Sequence, residues 1–376
     1  MRAYSRVGGR FYTGASRKRC VIISRRSLRP SRSVAHHFTE AGLLEAAIEW
    51  WGKAGEQALR RSAYIETVAH CAKAVSLAKG LADGPAQRLL RVRLQIAHGN
   101  ALMLARGLGA AETTAAFARA QEIAAGIEDV PERFSALRGL WNGSFDRGEM
   151  APMRELAAAM MREAESLPGL PELCTAHRLC AITCQVEGNF DGAREHLEQA
   201  IAAYDGKHPR TPALDFWGHQ DVASMAHLAW VLWPLGEIDR ARHLAEEAIV
   251  LAQRCGHVPT LAYAHGVTSN LEVMRRDARR VMTHGRAVVD LTREHGLPYW
   301  LAHGTIQVGW ALWHSGDREA GEAGMREGMV LLRERAAQVF PFPYRILQAE
   351  VEAEVGRVEA GLAILDSQRG QCPGRC

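Results

Sequence analysis

A short turn built on glycine recurs at a regular interval along the chain. It contains Gly148, Gly188, Gly236, Gly316 and Gly356, and the segments that follow are amphipathic. The intervals are 40, 48, 80 and 40 residues. The interval of 80 equals two periods, with Arg276 in place of the missing glycine, and the interval of 48 is one period plus an insertion at 205–219. Such a fixed period predicts an array of similar units, with the proline-containing insertion forming a loop.

Each period divides into two predicted helices. The second helix places small or apolar residues five, nine and twelve positions after the turn glycine, namely Ala193, Leu197 and Ala200 in one copy and Ala241, Ala245 and Ala248 in the next. Spacings of four and three put these residues on one helical face. The first helix carries a complementary face at Met225, Leu228, Ala229 and Leu232, while Pro171, Pro259 and Pro298 mark helix boundaries. Each unit is therefore predicted to be helix, turn, helix.

This pattern resembles the tetratricopeptide repeat. Gly188-Asn189-Phe190, followed by Ala193, Leu197 and Ala200, matches its consensus best. Weaker copies occur upstream, at Trp51, Gly55, Ala58, Tyr64, Cys71 and Ala74, and at Leu104, Thr113, Phe117 and Ala120. We predict an all-α, right-handed α-solenoid of about eight helix pairs between Ala35 and Asp366. The period is longer than the usual value of about 34 residues, so HEAT-like pairs stay open as an alternative.

Several segments resemble one more specific family. These are AHHFTEAG at 35–42, AIEWWGKAGEQA at 47–58, and the shorter matches at 309–312, 328–329 and 361–366. They are similar to the C-terminal repeat region of bacterial multidomain signalling proteins that combine a class III adenylate or guanylate cyclase, an AAA-type ATPase and tetratricopeptide repeats. The resemblance implies a regulatory role in signal transduction and a protein partner, such as an ATPase or cyclase domain.

The catalytic parts of that family have no counterpart in the sequence. There is no G-x-x-x-x-G-K-[ST] phosphate loop, and Gly206-Lys207-His208 lacks both the upstream glycine and the following hydroxyl. We therefore predict a non-catalytic interaction module, with a fragment, a decayed gene product and a stand-alone repeat protein all open. The alternative is a cyclase or ATPase family member whose catalytic domains are missing from this chain. A third interpretation is a ligand-sensing solenoid of the kind found in transcriptional regulators, but the sequence has no basic helix-turn-helix to support it.

The charge is unevenly distributed. Ten of the 46 basic residues lie in 1–34, which has no acid, so the remainder holds 36 basic and 42 acidic residues. This mildly acidic body gives no electrostatic reason to expect nucleic acid. The basic segment has three interpretations: a transit peptide, an RNA-binding arm, or a disordered leader, which we favour. The predicted organisation is thus a leader at 1–34, the solenoid at 35–366 and a disordered tail at 367–376.

The sequence suggests no membrane span, cofactor or metal. No apolar run approaches the roughly 18 residues of a membrane helix, which predicts a cytoplasmic protein. The eight cysteines have irregular spacing and are predicted to be reduced thiols. The nearest approach to a zinc site is Cys174, His177, Cys180 and Cys184, but these residues fall at core-facing positions of a first helix, so we interpret them as core.

Two pairs of tryptophans form the candidate partner groove. Trp230 and Trp233 precede Gly236, and Trp310 and Trp313 precede Gly316 at the same offsets, 80 residues further along. In a tetratricopeptide unit these offsets point towards the groove or its rim. Because tryptophan is enriched among binding hot spots, the pairs are predicted to hold an extended or helical segment of a partner. The alternative is that they fill gaps between repeats.

Overall fold

The computed structural model describes residues 10–11, 23–24, 32–61, 63–127, 131–166, 170–203, 219–295, 297–333 and 341–369. The predicted insertion at 205–219 therefore lies outside the described residues except for His219. Most of the predicted leader, and residues 370–376 of the predicted tail, lie outside them as well.

The described chain is almost entirely helical. In order, the helices are α1 (Arg32–Glu40), α2 (Leu44–Arg60), α3 (Tyr64–Ala78), α4 (Pro85–Arg106), α5 (Ala111–Ala124), α6 (Glu132–Arg147), α7 (Met150–Ser166), α8 (Leu170–Val186), α9 (Phe190–Ala203), α10 (Gln220–Leu232), α11 (Ile238–Cys255), α12 (Val258–Met274), α13 (Ala278–His295), α14 (Pro298–His314), α15 (Arg318–Arg333), α16 (Pro341–Glu354) and α17 (Val358–Arg369). Two short antiparallel strands, β1 (Arg10–Phe11) and β2 (Ile23–Ser24), precede them. Helices α2 to α17 follow one another as eight helix–turn–helix units, which confirms the predicted all-α fold and the predicted number of pairs.

The helices form two compact units, one of residues 1–106 and 110–139 and the other of 107–109 and 140–376. In the first unit, α1, α2 and α3 bury an apolar cluster that includes Phe38, Trp50 and Trp51. A second feature of this unit is the close packing of Phe117 on α5 against Gly139 on α6. A Cβ atom at Gly139 would lie 2.3 Å from the Phe117 ring, so only glycine admits the ring at this place.

In the second unit the predicted face of the second helices is buried. Ala193, Leu197, Ala200, Ala241, Ala245 and Ala248 are all at most 2% exposed. The face continues at the same offsets in α7 (Met153, Ala157, Met160), α13 (Val281, Gly285, Val288) and α15 (Gly321, Met325, Gly328). Small side chains at these offsets let the paired helices approach closely, as the periodicity predicted. On the first helix α10, Leu228, Ala229 and Leu232 are buried, whereas Met225 is only half-buried.

The recurring turns are Schellman motifs. In each one the residue after the turn position donates its N–H to the carbonyl five residues back, as Glu237 does to Leu232 and Asp277 to Glu272. The turn glycines have φ between +71° and +101°, a region that favours glycine. Arg276 adopts φ +60° in the same motif, which confirms its predicted equivalence to the glycines. For a residue with a side chain this conformation costs about 1 kcal/mol.

The three prolines lie at helix boundaries, as predicted. Pro171, Pro259 and Pro298 each lie in the first two positions of a first helix, where the missing N–H would have no intrahelical partner. The described cysteines, Cys71, Cys174, Cys180, Cys184 and Cys255, form no disulfide. Across the part of the chain that the structure covers, no helix is both long enough and apolar enough to cross a membrane.

Candidate binding surface

The structure gives the four predicted groove tryptophans different environments. Trp310 and Trp313 are 0% and 3% exposed, whereas Trp230 and Trp233 are half-buried. The two pairs occupy equivalent offsets before their turn glycines, although Trp233 lies just after the end of α10 and Trp313 lies within α14. The difference in exposure therefore comes from their neighbours and not from the repeat. Only the first pair presents indole surface to a partner without rearrangement of the fold. The groove function itself stays a prediction.

The accessible surface around the first pair combines tryptophan with methionine. Met274, at the end of α12, is 39% exposed and lies with its Sδ 2.7 Å from Nε1 of Trp230. The Arg275 guanidinium stands 5.6 Å from the ring centre of Trp233, which also packs against the buried cluster around Leu271. Each indole is thus partly buried against its neighbours and partly exposed to solvent. We call Trp230, Trp233 and Met274 the tryptophan–methionine patch.

The second pair is fixed inside the fold. Trp310 lies 4.2 Å from the ring of His314, measured between ring centres. Trp313 donates from Nε1 to Oε2 of Glu354 at 2.6 Å, and the Arg318 guanidinium lies over its ring, 5.2 Å from the ring centre. These contacts join α14 to α15 and α16.

A ladder of buried rings crosses the first helices of the second unit. His227 on α10 lies 5.9 Å from Tyr263 on α12, and Tyr263 meets Trp300 on α14 edge-on at 5.4 Å. Trp300 lies 5.5 Å from His303, which is 5.2 Å from Tyr344 on α16. All five side chains are at most 5% exposed. Successive first helices are therefore connected through aromatic contacts.

Polar groups join the same helices across two repeats. Gln307 on α14 donates to the Gly266 carbonyl at 2.9 Å and to Oδ1 of Asn270 at 2.8 Å. The Tyr344 hydroxyl also approaches Asn270 Oδ1, at 3.3 Å, and lies 2.9 Å from Nδ1 of His303. Because Asn270 is on α12 and Tyr344 on α16, the network bridges helices that are two units apart. Buried networks of this kind make the arrangement of the helices specific.

Burial controls the protonation of the ladder histidines. It lowers the pKa of His227 and of His303 from 6.5 to about 3 in each case, with Arg178 adding to the effect at His227. It also raises the pKa of the Tyr344 hydroxyl. The ladder is therefore neutral near pH 7, and protonation of either imidazole opposes folding.

We expect the second unit to lose stability in mild acid because of these histidines. Below pH 6.5 the unfolded chain binds protons that folded His227 and His303 exclude, so the free energy of unfolding falls as the pH falls towards about 3. Each residue is expected to contribute about 1.4 kcal/mol of loss between pH 7.5 and 5.5. Urea denaturation at these two pH values measures the change.

The His227→Gln variant isolates one contribution. Between pH 7.5 and 5.5, its free energy of unfolding is expected to fall by about 1.4 kcal/mol less than that of the wild type. This holds whatever the stability of the variant at pH 7.5. The range stops at pH 5.5 so that carboxylates remain ionised. An unchanged loss in this variant would show that His227 is not the neutral buried group described above.

The cysteine–histidine cluster on α8 does not gather around a common point. Cys174 is 2% exposed, and Cys180 contacts the Ala157 carbonyl at 3.7 Å through its Sγ. Burial raises the pKa of the Cys180 thiol to about 12, and Cys184 packs against the core beside α9. The side chain of His177 turns instead towards α9, with its Nδ1 3.0 Å from Nδ1 of His196.

A second histidine pair repeats this geometry and was not predicted. His265 and His284 bring their Nδ1 atoms to 3.1 Å on α12 and α13. Both pairs occupy the same offsets, eleven residues before and eight residues after the turn position. Burial lowers the pKa of all four imidazoles, so one neutral ring donates to the other in each pair. The shared offsets were the available sequence signal.

A family model for the tetratricopeptide repeat matches residues 175–199, which span the turn between α8 and α9. The chain carries a tetratricopeptide repeat. A curated relative, an uncharacterized protein from Rhizobium meliloti (strain 1021), is 23% identical over 342 residues. That alignment includes 90% of this chain and 33% of the relative, so the chain spans about a third of the relative's length.

Solved structures with the same architecture include two Rap proteins. A Rap protein complexed with competence and sporulation factor is 10% identical, with a TM-score of 0.61 over 87% of each chain. The Rap conjugation gene regulator of the plasmid pLS20, in complex with the Phr* peptide, is 11% identical, with a TM-score of 0.58 over 79% of this chain and 76% of the other. These similarities show that the fold is an all-α array of tetratricopeptide-like helix pairs.

Proposed function

We propose that the chain is a non-catalytic interaction module that binds an extended peptide segment of a partner protein at the tryptophan–methionine patch. The observation that carries the proposal is the placement of Trp230 and Trp233, half-buried, beside the exposed Met274 on the next first helix. Tryptophan combines a large apolar area with little conformational freedom, and methionine adapts to side chains of different shape. Both residues are enriched at protein interfaces.

A peptide is the ligand class that the comparisons favour. One of the similar Rap structures contains the Phr* peptide, and another contains competence and sporulation factor. In this chain the patch joins α10 to α12 and has apolar rings with a neighbouring cation, Arg275. We therefore expect a ligand with at least one large apolar side chain to insert beside Trp230.

Peptide selection tests the proposal. A random twelve-residue library displayed on phage is panned against the full chain, and the selected peptides are synthesised and titrated by fluorescence anisotropy. Peptides that bind the wild type are expected to lose at least about tenfold in affinity for Trp230→Ala/Met274→Ala, which corresponds to about 1.4 kcal/mol. Both side chains are partly exposed, so circular dichroism is expected to show a folded variant.

The matched control removes apolar surface from a second helix. Ile238 and Val250 on α11 are 45% and 44% exposed and lie outside the patch. Ile238→Ala/Val250→Ala is expected to bind the selected peptides as tightly as the wild type. Peptides that bind the patch variant normally, or that lose affinity only in the α11 variant, would contradict the proposed location.

We also propose that this module regulates a cyclase or ATPase of the signalling family that the sequence resembles. The resemblance of residues 35–58 and the share of the curated relative that lies beyond the alignment support this proposal. The genomic DNA upstream of codon 35 is expected to contain an open reading frame that encodes an ATPase. The alternative, that the chain itself is an enzyme of that class, predicts ATP hydrolysis or cyclic nucleotide formation by the purified chain.

A further inference from the structure

One imidazole and two carboxylates converge at the end of α14. His314 is the last residue of that helix, and Glu350 and Glu354 are one helical turn apart on α16. One ligand atom from each residue lies within 4.8 Å of the other two. The spacing of four places both carboxylates on the face of α16 that meets His314. In the described part of the chain no other three histidine, cysteine or acidic side chains converge in this way.

The imidazole of His314 has an unused polar atom. Its Nε2 is buried and makes no hydrogen bond among the described residues. The ring is held by Trp310, whose centre lies 4.2 Å away. A buried nitrogen without a partner is costly and calls for an explanation, and coordination to a metal ion is one. This atom is an observation independent of the two carboxylates.

The carboxylates are oriented by neighbours that leave oxygens available. Trp313 donates to Oε2 of Glu354 at 2.6 Å, which fixes that carboxylate in place. Glu350 forms an ion pair with Arg276, which reaches α16 from the turn between α12 and α13. Outer hydrogen bonds of this kind orient metal ligands in many proteins. Arg276 supplies positive charge to a site whose two carboxylates carry two negative charges.

We propose that His314, Glu350 and Glu354 bind a divalent transition-metal ion of the zinc class, with Arg276 as the competing cation. One imidazole nitrogen with two carboxylate oxygens suits zinc, because calcium and magnesium prefer oxygen ligands alone. Three protein ligands leave a coordination position for water. When the ion binds, Glu350 exchanges its ion pair with Arg276 for the metal, so the guanidinium is released from α16.

The left-handed backbone at Arg276 allows a test by substitution with glycine. The equivalent turns at Gly148, Gly188, Gly236, Gly316 and Gly356 have glycine, and Arg276 has φ +60°, so Arg276→Gly suits the backbone and removes the competing cation. The protein is titrated with zinc chloride by isothermal calorimetry in the presence of a weak chelator. We expect one zinc site that is weakened at least tenfold in His314→Gln and in Glu354→Gln, and strengthened severalfold in Arg276→Gly. Glu354→Gln keeps an oxygen that accepts the Trp313 hydrogen bond, so the packing is preserved.

The control separates this site from an ordinary surface pair. His243 and Glu247 lie one turn apart on α11, exposed and 3.3 Å from one another, with no third ligand. His243→Ala/Glu247→Gln is expected to leave the zinc affinity unchanged. Zinc binding that persists in both His314→Gln and Glu354→Gln would place the ion elsewhere, and absence of zinc binding at micromolar concentration would overturn the proposal. An unchanged affinity in Arg276→Gly would refute the competition.

Discussion

Replacement of Gly321 by alanine is expected to lower the free energy of unfolding of the second unit by about 3 kcal/mol, at the upper end of the cost of overpacking. Gly321 on α15 packs directly on the backbone of α14. A Cβ atom there would lie 2.5 Å from the backbone nitrogen of Trp313 and 2.8 Å from the carbonyl oxygen of Gly309. These are backbone atoms within a helix, so they cannot turn away as a flexible side chain does. The helices must separate, and the buried contacts around Trp313 weaken with them.

Two other helical glycines give a graded comparison. A Cβ atom at Gly324 would lie 3.2 Å from Cα of Gly309, a contact that a shift of a few tenths of an ångström relieves. A Cβ atom at Gly52 on α2 would have nothing within 4 Å. We therefore expect Gly324→Ala to cost less than Gly321→Ala, and Gly52→Ala to stabilise by about 0.5–1 kcal/mol through its helix propensity.

Urea denaturation followed by circular dichroism measures all three variants. A Gly321→Ala protein within about 0.5 kcal/mol of the wild type would show that α14 and α15 separate at little cost. The same result would make the close approach of the two helices unimportant for the stability of the second unit.

The close approach of α14 and α15 was partly visible in the sequence. The offsets of five and twelve residues after the turn glycine, which hold Ala193 and Ala200 in an earlier copy, hold Gly321 and Gly328 here. The period and these offsets were sufficient to predict the helix pairs, the buried face of the second helices and the equivalence of Arg276 to the turn glycines. Local spacing was sufficient because each of these features repeats within a single unit.

The contents of the candidate sites were harder to predict because they depend on contacts between units. The His314 site combines residues 36 and 40 positions apart, and the Asn270–Tyr344 contact spans 74 residues. Residues so far apart in sequence lie on different helices, so the periodicity of a single helical face does not bring them together. A periodic pattern indicates which side of a helix faces its neighbours, but it does not indicate which side chains those neighbours contribute. For the same reason the two tryptophan pairs were predicted to be equivalent.

The buried Trp310 is the residue whose loss is expected to have the second large effect on stability. Trp310→Ala is expected to destabilise the second unit by about 4 kcal/mol, because it removes a fully buried indole and leaves a cavity beside His314. Trp230→Ala removes a half-buried indole that stacks on His227 at 5.9 Å, and we expect a loss of about 1 kcal/mol. Chemical denaturation of the two variants measures the difference in free energy of unfolding. The two tryptophans lie 80 residues apart, each at the same offset before its turn glycine.

Trp310→Phe serves as the control for cavity size, since it keeps an aromatic ring and is expected to recover a large part of the loss. Equal destabilisation by Trp230→Ala and Trp310→Ala would mean that the two environments are alike and that both pairs are core. Loss of partner binding in Trp310→Ala would follow from loss of folding, so only the tryptophan–methionine patch permits a test in which affinity changes while the fold is retained.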